Sequence, residues 1–343
     1  MTTAPAMFDM METIRNAEKG RICETVENET PLKRPAGTIP PAPEKEKAAG
    51  RAVPRRRKGW VERMTPYLFL APASICFIVF LFFPFARTVY LSLFLTSNEG
   101  AARIFRGLGN YRDLFVSPDY RKVMGNTVVF AAIVIVGSMA LGFLAANLAN
   151  GKGRAFRIFP VVFTMPIAAA AGSFALLFQQ MFDPTSGIVN KLFHTDVLWF
   201  QDPNIALYSM AAITIWLMSG SNFIYLHAGL KNIPQSILES AEIDSASGLT
   251  KLFRITVPCL SPMLFFVLIT DIIAAFQSFT QINVITQGGP GDATNIMVYN
   301  IYRDAFFNFR FGPAAAQSVV LFLIILAITL IQFKNEKRMV FYS

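Results

Sequence analysis

Six stretches of the chain are each long and apolar enough to cross a lipid bilayer, and no other feature restricts the fold as much. They run from Tyr67 to Leu95, Asn126 to Leu148, Phe156 to Phe182, Asn204 to Leu230, Cys259 to Ile285 and Gly312 to Phe333. A span needs about 20 predominantly apolar residues, because the hydrocarbon core is roughly 30 Å thick and holds no water for backbone or ionised groups. A soluble fold can bury one or two such helices. Six of them, separated by short charged or Gly/Pro-rich breaks, would leave it no polar surface. Composition agrees: 15% of the 343 residues are charged and 53% hydrophobic, whereas about a quarter are charged in soluble domains. The expected fold is an all-α membrane protein of six transmembrane helices occupying residues 61–343.

Residues 1–60 are a different kind of sequence, Pro-rich and mixed in charge, ending in the basic run Arg55, Arg56, Arg57, Lys58. Such a stretch cannot bury a core and is expected to be a disordered tail; it lacks the apolar region and cleavage site of a signal peptide. Cytoplasmic flanks are enriched in Lys and Arg. With the N-terminus inside, cytoplasmic segments carry 22 of them and outer loops 8, a margin that narrows to 9 against 8 without the tail. Both termini are therefore expected in the cytoplasm. Cys23, Cys76 and Cys259 are too scattered for a disulfide framework. His194 and His227 have no companions at ligand spacing, so no metal is expected.

Pro72, Pro84, Pro160 and Pro166 lie in the first and third apolar stretches. They free backbone carbonyls and bend helices, either as packing kinks or as parts of a moving pathway. Between the fourth and fifth stretches, residues 229–258 are too patterned for a simple connector. Pro234 suits a first helical turn. Ile237, Leu238, Ala241 and Ala246 form an apolar flank opposite Glu239, Glu242 and Asp244. Leu249, Leu252, Phe253 and Val257 make a second short amphipathic helix, which Pro258 separates from the next span. Two short helices held beneath the membrane would form a compact knob.

At this loop the chain resembles the binding-protein-dependent permeases of bacterial ATP-binding-cassette importers, whose coupling loop reads Glu-Ala-Ala, three residues, Gly, nine residues, Ile, one residue, Leu-Pro. Here Glu239, Ser240 and Ala241 take the triplet, Ser245 the Gly position, Ile255 the Ile, and Val257 with Pro258 the closing pair. The chain departs from the pattern at Ser240 and Ser245. If the family glycine needs positive φ, the turn passes through Gly248 instead. The resemblance extends over about residues 64–340. It includes Gly107-Leu-Gly-Asn-Tyr111, Asn126-Thr127, Phe182-Asp-Pro-Thr-Ser-Gly-Ile-Val-Asn190, Thr286-Gln-Gly-Gly-Pro-Gly-Asp-Ala-Thr294, Tyr302-Arg-Asp-Ala-Phe306 and Gly312-Pro-Ala-Ala-Ala-Gln-Ser318. These look like the carbohydrate-uptake branch. Ile301-Tyr-Arg303 and Ala315-Ala-Gln-Ser-Val-Val-Leu321 are also similar to its glycerol 3-phosphate permeases.

The resemblance implies a multi-pass subunit of the bacterial cytoplasmic (inner) membrane, with a cytoplasmic coupling-helix loop, residues 229–258, between the fourth and fifth helices. It implies that Glu239, Ser240, Ala241, Asp244, Ser245, Gly248, Ile255 and Pro258 dock on a separate ATP-binding subunit dimer. The other implied partners are a second permease subunit and an extracytoplasmic solute-binding protein, besides membrane lipid; nucleic acid is not among them. No Gly-x-x-x-x-Gly-Lys-Ser/Thr loop occurs, Gly151-Lys-Gly153 lacking the spacing, so no cofactor is expected on this chain and ATP belongs to the partner.

Charged groups at membrane depth are functional candidates because they are costly there. Asp271 is the one carboxylate well inside an apolar stretch. Thr270, Ala274, Gln277 and Gln281 fall on one face of a continuous helix, with Asp271, Ala275 and Ser278 beside it. Such a stripe offers donors and acceptors to a hydroxylated solute; it would equally glue helices together. Ser219, Ser221 and Asn222 either line the same cavity or, beside Gly220, pack closely. A carboxylate near the path disfavours an anionic solute, so a sugar or polyol is the first expectation and glycerol 3-phosphate the alternative. An ion-driven transporter would need more intramembrane ionisable groups, and an enzyme would need an acid-base constellation that is missing here.

Overall fold

The computed structural model describes residues 60–151, 158–168, 170–243 and 248–341. The chain divides after Met64. The expectation for the tail, residues 1–60, therefore falls almost entirely outside the described residues. From Thr65 onward the described residues are helical apart from one short ribbon and their loops. Among the described residues, five helices are long and apolar enough to cross a membrane: Met64–Ser92, Pro118–Ala149, Ala206–Lys231, Leu252–Ile285 and Phe311–Lys337. The remaining apolar stretch, expected as one span, is instead two helices, α5 (Phe159–Ala168) and α6 (Ala171–Met181), inclined at 105° to each other. Pro166 lies just before the bend, and Ala170 is extended at φ −63°, ψ 130°.

The first span contains α1 (Trp60–Phe77), a π-helical turn at Ile78–Phe82 and α2 (Phe83–Ser92). A similar π-turn at Leu252–Thr256 joins α10 (Gly248–Lys251) to α11 (Val257–Phe276). In both, the residue before a proline closes the wide turn, Phe83 N–H donating to the Ile78 carbonyl and Val257 N–H to that of Leu252. A proline ring clashes with the carbonyl four residues back and lacks an N–H, and a local π-turn relieves both problems. Pro258 therefore sits in the first turn of α11 rather than separating two helices, contrary to the sequence expectation.

The centre of the bundle is α4 (Pro118–Ala149) lying along α8 (Ala206–Lys231), with α11 against both. Small residues permit the close approach: a Cβ on Gly142 of α4 would sit 2.6 Å from Asn222 Cβ of α8. Phe130, Val134, Met210, Ile213, Ile272 and Phe276 fill the middle of the core. Leu226, Leu230, Ile233 and Leu260 fill one end of it. α14 (Phe311–Met339) packs on α2, where the rings of Phe85 and Phe322 meet edge to face at 5.0 Å. The large apolar side chains from Tyr67 to Phe83 are exposed, as surface facing lipid would be.

An antiparallel ribbon, β1 (Phe94–Thr96) and β2 (Ala102–Phe105), follows the first span, and α3 (Gly109–Val116) leads into α4. α7 (Ile188–Phe193) and α13 (Met297–Tyr302) are short helices in the connections, and α12 (Thr280–Ile285) ends the span that begins at Leu252. With 32 residues, α4 is about 48 Å long at 1.5 Å per residue. Its two ends therefore mark two well-separated regions.

Candidate functional site

At the C-terminal end of α4 stands the loop singled out from its pattern. α9 (Gln235–Ile243) follows Pro234, and α10 opens at Gly248. Ile233 is buried with Leu230 and Leu260 and ties the loop to the bundle. Beyond it, every described side chain of α9 faces outward. Glu239 accepts from Gln235 Nε2 at 2.7 Å and Ser240 Oγ donates to the Ser236 carbonyl at 2.8 Å, both bonds within the one helix. Ile237 and Phe253 are apolar yet exposed, Phe253 by 64%. Gly248 has nothing within 4 Å of a Cβ position and is not left-handed. Ile255 and Pro258 are half-buried at the junction with α11. Asp244 and Ser245 lie outside the described residues, as does the side chain of Ala241. A cavity of about 830 Å³ runs beneath α9, lined among others by Asn147, Asn150, Lys231, Glu239 and Thr256.

Midway along the bundle, the expected solute stripe divides. Asp271 is 3% exposed, and its Oδ2 accepts from Ser138 Oγ of α4 at 2.7 Å and from Asn222 Nδ2 of α8 at 2.6 Å. The carboxylate thus fastens three helices together. Ser138 was not singled out from sequence, where its only signal is a Gly-Ser pair inside an apolar run. Gln277 ends α11, with φ −101° and ψ 9°, and is exposed. Gln281, on α12, is buried and donates through Nε2 to Thr214 Oγ1 of α8 at 3.0 Å. Ser278 Oγ donates to the Ala274 carbonyl at 3.1 Å. Because the helix is interrupted between Phe276 and Thr280, the continuous face assumed for Gln277 and Gln281 does not form. Gln277 is the exposed member of the set, whereas Asn222, Asp271, Ser278 and Gln281 are buried.

At the N-terminal end of α4, five of the six sequence motifs converge. Thr127 Oγ1 accepts from Met297 N–H at 2.9 Å, and Asn126 Nδ2 donates to the Asp292 carbonyl at 2.9 Å. The loop 286–295 turns through Gln287, Gly288, Gly291 and Asp292, all at positive φ. From it Asp292 reaches Arg303, which also donates to Asn300 Oδ1 at 3.1 Å. Asn300 Nδ2 donates to Gln317 Oε1 at 2.8 Å, and Gln317 Nε2 to Asp304 Oδ2 at 2.6 Å. Asn308 Nδ2 donates to Asp304 Oδ1 at 2.9 Å. Asn110 ties the ribbon in through the Ser92 and Phe94 carbonyls, at 2.8 and 3.0 Å. The sixth motif forms its own turn: Asp183 Oδ1 accepts from the N–H and hydroxyl of Thr185 and of Ser186, which holds its carboxyl down at about 2.

Comparison with known proteins agrees with this architecture. Residues 138–341 match the family of binding-protein-dependent transport system inner membrane components. The sn-glycerol-3-phosphate transport system permease protein UgpA of Agrobacterium fabrum is 33% identical over 285 residues, 82% of this chain and 97% of that protein. Its counterpart in Escherichia coli (strain UTI89) is 30% identical over the same shares. Among solved structures, a bacterial ABC transporter involved in the import of the acidic polysaccharide alginate has the same fold, with a TM-score of 0.71 at 20% identity over 81% of this chain. The same transporter is also known in complex with an alginate pentasaccharide-bound periplasmic protein, again with a TM-score of 0.71.

Proposed function

The chain belongs to the binding-protein-dependent transport system inner membrane components, and on that premise we propose how it works and what it carries. It is one permease subunit of an ATP-binding-cassette importer. It crosses the membrane six times, the bent pair α5 and α6 counting as one crossing, and keeps both termini in the cytoplasm. α9 and α10 form the coupling knob that docks on a separate ATP-binding subunit, with Glu239, Ser240, Ala241, Asp244, Ser245, Gly248, Ile255 and Pro258 in or beside the contact. The observation that carries this reading is a short helix exposed at one end of the bundle, at the position in the chain where the resemblance puts a coupling loop. It presents Ile237 and Glu239 to solvent. An apolar side chain left exposed beside a charged one suits a surface that a second protein covers.

The cargo is a hydroxylated solute, a carbohydrate or polyol, handed over by an extracytoplasmic binding protein and passed between this subunit and a second permease. A second reading, sn-glycerol 3-phosphate, is favoured by the relatives at 30 to 33% identity that bear that name. Gln277, exposed at the break in the fifth span, is the residue best placed to meet solute. Asn222, Asp271, Ser278 and Gln281 shape the path from behind. The test is uptake into proteoliposomes that hold this chain, its partner permease and the ATPase, with the extracytoplasmic binding protein supplied together with labelled sn-glycerol 3-phosphate or a labelled disaccharide. ATP-dependent accumulation of either is expected. Accumulation that persists without ATP and collapses with a protonophore would instead mean an ion-driven carrier.

A further inference from the structure

The formal net charge of +9 is unevenly placed along the chain. In the segments at the N-terminal end of α4, eight Lys and Arg are matched by eight Asp and Glu. Several of them pair: Arg106 with Asp113 at 2.8 Å, Arg303 with Asp292, and Arg310 with Asp304 at 3.7 Å. At the end that carries α9, the segments following α4, α8 and α14 hold nine Lys and Arg against four Asp and Glu. Lys231, Lys334 and Lys337 are exposed there and make no salt bridge among the described residues. Cations that the protein leaves uncompensated suit an anion from outside it.

What those cations border selects the anion. On α14, Leu323, Leu326, Leu330, Lys334 and Lys337 are all exposed and follow one another at intervals of three, four, four and three residues, which puts them on one helical face. From Leu323 to Lys334 this stripe is about 16 Å long at 1.5 Å per residue, the depth of one leaflet of a hydrocarbon core roughly 30 Å thick. We infer that the stripe binds an anionic phospholipid, its acyl chain along the three leucines and its phosphate held by Lys334 and Lys337. Lysine stems lie along apolar surface while their ammonium groups reach the headgroups. A soluble anion would gain nothing from the leucines. A zwitterionic headgroup brings its own cation beside the phosphate, so two lysines favour a headgroup of net negative charge. Placing the site in the cytoplasmic leaflet rests on the orientation proposed for transport; the stripe itself does not depend on it.

The test is native mass spectrometry of the delipidated full-length chain in detergent, titrated with phosphatidylglycerol or with phosphatidylcholine of the same acyl chains, without ATP or any other protein. Phosphatidylglycerol should bind about tenfold more tightly, each lysine at headgroup level being worth about fivefold at most. Millimolar inorganic phosphate should not displace it. Lys334→Gln combined with Lys337→Gln should abolish the preference and leave the melting temperature of the delipidated chain unchanged, since both side chains are exposed and unpaired by described acids. Leu326→Gln combined with Leu330→Gln should weaken both lipids alike. Equal binding of the two lipids, a preference that survives the double lysine variant, or displacement by inorganic phosphate overturns the inference. So does a preference lost only when Arg55, Arg56, Arg57 and Lys58 are replaced by Ser, which would put the lipid at the foot of the first span. If the double lysine variant keeps its lipid but no longer co-purifies with the second permease, the face is a subunit contact and the inference falls. Uptake that needs no ATP would overturn the importer reading and leave this binding site standing.

Discussion

The two ends of α4 are built on opposite principles. At the N-terminal end, buried Asn300, Asp304 and Gln317 join α13, the π-helical turn Arg303–Phe307 that follows it and α14 in one chain of side-chain hydrogen bonds, while Asn126 and Thr127 tie the 286–297 segment to α4. At the C-terminal end, α9 hangs from Ile233, and its described polar side chains bond within their own helix. A densely cross-linked buried network holds one arrangement, because each displaced member strands a partner away from water. Short exposed helices hold little of their own stability and take their position from whatever they dock against. The cross-tied end is suited to stay rigid, and the loosely tied end to move.

Asp304→Ala should have the largest effect on stability. The carboxylate accepts from Gln317 and Asn308 and lies 3.7 Å from Arg310, with its side chain 11% exposed. Its removal leaves buried Gln317 Nε2 without its acceptor, while exposed Asn308 and Arg310 turn to water, at a cost on the order of 1–3 kcal/mol. Thermal unfolding of the purified chain measures it, and a melting temperature unchanged from wild type would show that the network is not what holds this end together.

A smaller effect is expected midway. Asp271→Ala releases Ser138 and Asn222, and interhelical hydrogen bonds in membrane proteins average well below 2 kcal/mol each, so a loss of about 1–2 kcal/mol is expected. Asp271→Asn keeps an acceptor oxygen and should lose about half as much. If Asp271 meets solute instead of holding helices, both variants will shift the half-saturation concentration for uptake and leave the melting temperature in place.

Which of these features were legible in the residues alone depends on the range of the interaction. Apolar run length marks spans by itself, so five long helices stand where five of the six stretches were read. The third stretch contains Ala168 to Ala171, the best helix formers, yet bends there. Pro160 and Pro166 were its local signals, and Pro166 packs close to Gly220 of α8. The stripe from Thr270 to Gln281 rested on an unbroken 3.6-residue period, and the turn at Gln277 ends that period. Asp271 could be named from its cost in lipid, but its partner Ser138 is 133 positions away, and no local pattern identifies one serine among many. The network at the N-terminal end of α4 was visible as motifs in order, without any indication that Asp292, Arg303, Asp304 and Gln317 meet.

The smallest effect on stability belongs to the loosely tied end, and there it separates from function. Glu239 is exposed and, among the described residues, bonds Gln235, one turn away on the same helix. Exposed substitutions without buried partners generally change stability by less than about 0.5 kcal/mol, so Glu239→Lys should melt with wild type and reach the membrane at wild-type levels. If the ATPase reads this helix, reversing its charge places a cation where an acidic group had been accommodated, and misplaced charges at protein contacts cost several kcal/mol. Uptake should then be lost, and the ATPase should no longer co-purify with the chain. Normal uptake by this variant would remove the docking role from α9. Loss of uptake with a lowered melting temperature would mean that the helix is tied to the bundle more tightly than its hydrogen bonds show, and the contrast between the two ends would fail.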